Sequence, residues 1–300
     1  MTYYIFDNAD GRDLGILRFT VFAIWLVIVF CTPLTNYALL PPEIFEPWGV
    51  FNIIFSDPTS LVTQVTLSHT FLLSLKIIII IGCLLCMAGI RPFRWIAIPT
   101  VVLLLLAEGI VKGFNGYINH AELIPLYTAA IVSVSPSSDQ FTILYNPIQN
   151  KLKTNYTFPI FVAALVFLLS YSFVGINRFM SVGLEIFQTD ALRNYLFVNS
   201  FEYSKYGFDL GLLIAKNDWL LTLSNIGFFV LTVLECLSPL VLINRHFCYG
   251  WVTIMISFHI LSLLTMNIFF WANIMLIILL FIIIPCLDGD KAFKTKFLFH

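Results

Sequence analysis

An all-α, polytopic integral membrane bundle is the fold this sequence predicts, on three observations. The 300 residues are 59% hydrophobic and only 11% charged, where soluble domains carry about 25% charged residues, and the mean hydropathy is +0.92. The apolar residues come in continuous runs close to the ~20 residues that cross a bilayer as a helix, not in the period-two alternation of an outer-membrane barrel. The runs also stop sharply, at Thr32-Pro33, Arg91-Pro92, Ser135-Pro136 and Asn244-Arg245.

Eight candidate spans follow in order: 14–32, 68–90, 95–111, 119–135, 157–176, 220–243, 250–270 and 273–287. The last is short, and a tilted or re-entrant course suits it. No internal repeat or separate soluble domain interrupts them, so residues 1–300 read as one transmembrane domain with a core of about 12–287. The first run is too long for a cleavable signal peptide and lacks a small-residue cleavage site. Between the spans, residues 41–58 mix Pro, Trp and Phe with acids, as an interfacial segment does. Residues 177–219 predict an amphipathic or re-entrant piece packed on the bundle.

The distribution of lysine and arginine gives an orientation. With the N-terminus in the cytoplasm, ten basic residues (Arg12, Arg18, Arg91, Arg94, Lys151, Lys153, Arg245, Lys291, Lys294 and Lys296) lie inside. Five (Lys112, Arg178, Arg193, Lys205 and Lys216) lie outside, and Lys76 falls within a span. Both termini are then cytoplasmic, in a multi-pass protein whose expected location is a bacterial cytoplasmic membrane. No basic cluster suggests nucleic acid, and the expected surroundings are the lipid bilayer.

Ionisable groups at bilayer depth cost about 2.5–3.5 kcal/mol on insertion scales, so they mark candidate sites. Arg18 lies near the cytoplasmic end of the first span, within reach of snorkelling. Lys76, Glu108, His120 and Glu122 fall in the outer half, and Glu235 and His259 near the middle. The clustering predicts a polar cavity open to the outside, in which Lys76, Glu108 and Glu122 could pair. Asn119-His120-Ala121-Glu122 has the form of a helix capping box. That explains Asn119 and Glu122 but not His120, which at two residues' distance faces away from Glu122; its partner is expected elsewhere, at Arg178 or Lys76. The six cysteines are scattered, and only Cys83-Leu-Leu-Cys86 has redox spacing.

Four stretches carry a resemblance. They are Leu14 to Phe19 (LGILRF), Gly116 to Tyr127 (GYINHAELIPLY), Tyr171 to Arg178 (YSFVGINR) and Ser257-Phe258-His259. In collinear order they resemble the horizontally transferred transmembrane (HTTM) family, which includes the vitamin K-dependent gamma-glutamyl carboxylases. The resemblance implies a helical membrane domain with a site facing the lumen or exterior. It places His120, Arg178 and His259 at positions implicated in catalysis, with Asn177 beside them. Arg178 stands where the carboxylases have a lysine thought to act as a base, and an arginine stays charged. Glutamate carboxylation is therefore not the expected chemistry. What remains is an outward polar pocket for a lipid, a quinone or a small peptide, with Arg178 holding an anionic or carbonyl group and His120, or His259 with Glu235, moving protons. The alternatives are an accessory role in peptide maturation or export, with a peptide or membrane-bound partner, and a proton-coupled transporter using Glu235 and His259.

Overall fold

The computed structural model describes residues 6, 9–47, 49–55, 57, 60–115, 120–143, 146, 152, 154–187, 189–202, 207–208 and 210–286. Among them there is no strand. The α-helices are α1 (Gly11–Cys31), α2 (Val50–Ile54), α3 (Leu61–Thr66), α4 (His69–Ala88), α5 (Phe93–Asn115), α6 (His120–Val134), α7 (Thr154–Val182), α8 (Thr189–Glu202), α9 (Leu210–Lys216), α10 (Asp218–Cys236), α11 (Arg245–Met266) and α12 (Trp271–Ile278). A π-helical stretch, Leu279–Ile283, prolongs α12. Among the described residues six helices are long and apolar enough to cross a membrane: α1, α4, α5, α7, α10 and α11. The other two expected spans are shorter: α6 has 15 residues, and the apolar helix from Trp271 ends at Cys286.

The helices begin and end where local chemistry dictates. Asp10 caps α1 by accepting from the Arg12 and Asp13 amides, while Asp13 answers the Asp10 amide in a reciprocal box. Ser68, Asn217 and Asn244 cap α4, α10 and α11 with side-chain oxygens. Gly89, at φ +68°, closes α4 in the left-handed conformation that glycine adopts without steric cost.

The core is largely apolar, but it also encloses polar side chains, and many large apolar side chains lie on the outside. Arg18 and Asn273 are 0% exposed, whereas Trp95 is 82% and Phe173 70% exposed. Apolar surface of that extent is what lipid tails cover.

The chain divides into two compact units. In the first, Asn8–Ala163, α1 packs on α4 and α6, and α5 packs on the same two, closing a ring of four helices. Short connections make α4, α5 and α6 successively antiparallel. One end of the ring is plugged by Arg18. Its guanidinium donates to the carbonyls of Ser137 at 2.7 Å, Met87 at 3.2 Å and Phe141 at 2.5 Å, and it lies 5.8 Å from the centre of the Phe93 ring. The snorkelling expected of Arg18 is thus replaced by complete burial, because the Met87 carbonyl in the last turn of α4 and the Ser137 and Phe141 carbonyls beyond α6 supply what water would. At the other end, the segment between α1 and α4 drapes its aromatic side chains over α5. Phe45 and Tyr37 meet the Phe114 ring at 5.0 and 5.4 Å, and the Glu46 amide bonds the Gly113 carbonyl at 2.9 Å.

In the second unit, which takes in Ala164 onward, α10 ends earlier than the sequence suggests. Pro239 has no amide hydrogen for the Glu235 carbonyl, so the helix stops at Cys236 and a 3₁₀ turn, Ser238–Leu242, follows. The Ser238 hydroxyl donates to the Glu235 carbonyl at 2.7 Å and the Ser172 hydroxyl to that of Cys236 at 2.9 Å. The predicted packed segment is a pair of short helices, α8 and α9. Leu192, Leu196 and Ala215 from this pair form a core with Leu221 of α10. Asn267 holds the backbone of Phe208 through both amide atoms, at 3.2 and 3.1 Å.

Candidate functional site

The second unit gathers the ionisable and polar groups expected of a site along one face of α7. Tyr171, Gly175 and Arg178, spaced by four and three residues, share that face. Gly175 is there because nothing larger fits: a Cβ would lie 2.9 Å from both the Cys236 amide nitrogen and its Sγ, and 3.0 Å from the Glu235 Cβ. The close approach brings α10 antiparallel against α7. One turn further along, the Arg178 guanidinium pairs with the Glu235 carboxylate. The same nitrogen of Arg178 lies 3.5 Å from the Thr232 hydroxyl, and the guanidinium stacks over the Phe228 ring at 5.2 Å.

Two turns back, the Tyr171 hydroxyl meets His259 Nε2 of α11 at 2.6 Å and accepts a longer bond, 3.4 Å, from the Asn273 amide of α12. Aromatic rings wall this network: Phe167 stacks on Tyr171 at 5.2 Å, Trp251 meets it edge-on at 5.6 Å, and Phe270 lies 5.1 Å from the His259 ring. Tyr171, His259 and Asn273 are all buried, and Asn273 Oδ1 has no hydrogen-bond partner among the described residues. The Arg178–Glu235 pair and the Tyr171–His259–Asn273 bonds thus meet α7 on the same face, two turns apart.

Accessibility divides the labour within this array. The Glu235 side chain is 3% exposed and that of Arg178 is 21% exposed. Among the described residues only one of the guanidinium's nitrogens is engaged by a hydrogen bond or ion pair. Arg178 can therefore meet a second anionic or carbonyl group while keeping Glu235. Behind it, the imidazole of His259 and the phenol of Tyr171 can each give and take a proton.

The first unit holds a separate charged group. Lys112 of α5 donates to the Glu122 carboxylate of α6 at 3.1 Å and lies 3.8 Å from Glu108, one turn earlier. The expected pairing of Glu108 and Glu122 with Lys76 is thus corrected to Lys112, which lies on α5 because that helix runs to Asn115, past the expected end at 111. Lys76 instead donates to the carbonyls of Phe30 at 3.1 Å and Thr32 at 2.7 Å, closing the C-terminus of α1. His120 begins α6, but its side chain lies outside the described residues, as does Asn119 with its expected cap. Asn177 is exposed and accepts from Ser181 at 3.1 Å; it sits on a different side of α7 from the Tyr171–Arg178 face. The expected pairing of Glu235 with His259 becomes two bonds, Glu235 with Arg178 and His259 with Tyr171.

Tyr171, Thr232 and Asn273 were not read as site residues. The spacing of Tyr171 to Arg178 was a usable signal; a lone asparagine in an apolar helix was a weak one. Cys83 and Cys86 are both buried free thiols, beside a contact where Gly82 lets the Thr100 side chain approach α4. Among the described residues no three His, Cys, Asp or Glu side chains are grouped to hold a metal ion. No family profile, no curated protein and no solved structure matches the chain.

Proposed function

We propose that the protein is an HTTM-like membrane protein that binds the polar end of a lipid-soluble molecule, a quinone, a lipid or a peptide group, at Arg178. The observation that carries this reading is the Arg178–Glu235 pair, with Tyr171, His259 and Asn273 behind it on one face of α7. A carboxylate and a guanidinium inside an apolar bundle are costly to desolvate, and replacing both with apolar residues is often neutral or stabilising. Their presence is better accounted for by a ligand than by stability. Arg178 holds an anionic or carbonyl oxygen, and Glu235, Tyr171 and His259 supply or accept a proton. Vitamin K-dependent glutamate carboxylation is not proposed, because Arg178 stands where that chemistry requires a base. The kinship with the HTTM family rests on the four collinear stretches, and the bacterial cytoplasmic membrane as location rests on that kinship.

Mass spectrometry of the gently purified protein tests the reading. The wild type should carry a lipid, quinone or peptide that Arg178→Met loses; a wild type free of any bound molecule, or undiminished binding in the variant, would overturn it.

A second reading has one observation in its favour: the break after Cys236, at Pro239, lies beside a buried carboxylate, as in the discontinuous helices of transporters. Solute uptake into liposomes driven by a pH gradient would select it over the first.

A further inference from the structure

The Arg178–Glu235 pair leaves one edge of the guanidinium unused. Glu235 and the Thr232 hydroxyl both engage Nη1, and among the described residues Nε and Nη2 have no partner. Those two nitrogens carry parallel N–H groups in one plane, the edge with which arginine meets oxygen acceptors two donors at a time. Phe228 lies over the guanidinium at 5.2 Å and holds that plane. The side chain is 21% exposed, so the edge can be met without displacing Glu235.

Geometry alone admits a carboxylate, a phosphate or an acyl carbonyl, and charge decides among them. Arg178 and Glu235 sum to zero, and among the described residues neither has a second ion pair. An anion added to the pair leaves one negative charge uncompensated, next to a carboxylate whose side chain is only 3% exposed. The surroundings do little to offset that charge. Phe187 packs on Phe228 at 5.4 Å and on Phe229 at 5.1 Å, and Phe179 adds its ring at 5.6 Å from Phe187. Phe229 is 41% exposed, so this apolar wall runs from Arg178 to the outside of the bundle. Uncompensated charge in such a place costs far more than a neutral polar group that keeps its hydrogen bonds.

We propose that the group held at Arg178 is an uncharged acyl carbonyl, the ester or amide of a long-chain lipid, and not a carboxylate or phosphate. This rests on the reading of Arg178 and Glu235 as the site and names the ligand chemistry that the site takes. The carbonyl oxygen has two lone pairs, one for each free donor of the edge. The net charge stays at zero, and the hydrocarbon chain lies against the phenylalanines. Glu235 thereby sets the charge preference of the site, because it cancels the arginine before the ligand arrives.

Photo-crosslinking of the full chain in maltoside micelles, which carry neither ester nor carboxylate, tests the proposal. The probe is the methyl ester of a diazirine-bearing fatty acid, counted by intact-mass spectrometry. Methyl oleate and oleate compete for it in a buffer alkaline enough to ionise the acid. Labelling of the wild type should be lost in Arg178→Met, and methyl oleate should displace the probe at about one tenth of the oleate concentration or less. In Glu235→Gln, which keeps a hydrogen-bonding partner and removes the negative charge, the order should reverse. Oleate competing as well as its ester in the wild type, or an order that Glu235→Gln leaves unchanged, would overturn the proposal. The free-acid form of the probe separates the two kinds of failure. Arg178-dependent labelling by the acid and not the ester keeps the site and overturns its preference, whereas labelling by neither form that depends on Arg178 overturns both.

Discussion

Arg18 and Arg178 show how one residue type does two jobs in an apolar bundle. Arg18 is wholly buried, and both of its terminal guanidinium nitrogens donate to backbone carbonyls, three in all, at the end of the four-helix ring. Gly89 makes the room: a Cβ there would lie 2.6 Å from the guanidinium. Removing Arg18 leaves three acceptors unmet, and hydrogen bonds to charged groups are worth about 1.5–3 kcal/mol each. Arg18→Met is therefore expected to lower the thermal unfolding midpoint sharply in detergent, while any molecule bound at Arg178 is retained. An unchanged midpoint would show that the carbonyls find other donors. Arg178, by contrast, keeps donors to spare and is partly accessible. The sequence distinguished the two only by depth, since no rule of spacing says which carbonyls will converge on an arginine far away in the chain. It likewise paired Lys76 with carboxylates, because a backbone carbonyl at a helix end leaves no mark in composition.

At the scale of the helix, the site depends on how closely α7 and α10 approach. Gly175 sets that distance against Cys236, and the break after Cys236 leaves carbonyls that Ser172 and Ser238 bind. Overpacking a tight contact costs typically 1–3 kcal/mol. Gly175→Val should accordingly lower the melting temperature and separate Arg178 from Glu235, whereas Gly227→Ala, with no atom within 4 Å of its Cβ, should be harmless. Equal effects at the two glycines would mean that helix propensity rather than contact decides. The sequence showed most of these helices to within a few residues, since caps and prolines are local signals. It missed the early end of α10 because Ser238-Pro239 sits in an unbroken apolar run, and hydropathy alone does not register a missing amide hydrogen.

For the molecule as a whole, the legible part is the class: helical, with much apolar surface outside and, among the described residues, six helices long and apolar enough to span. Whether α6 and the helix from Trp271 also cross is a matter of length, and either count is even. We propose on the charge distribution that both termini face the cytoplasm. A reporter fused at the N-terminus should then be unreachable by impermeant reagents in intact cells, and labelling from outside would reverse the topology. The site was legible in part. His259, Glu235 and Arg178 stood out as ionisable groups in apolar surroundings, but Tyr171 lies 88 residues from His259 and 102 from Asn273, and only packing unites them.

The central claim is that Arg178 and Glu235 are kept for a ligand and not for the fold. The double variant Arg178→Met with Glu235→Leu separates these, because it removes both charges and leaves neither unpaired. We expect it to melt at or above the wild-type temperature and to carry no bound lipid, quinone or peptide in native mass spectrometry. A double variant that retains the wild-type molecule would contradict the account.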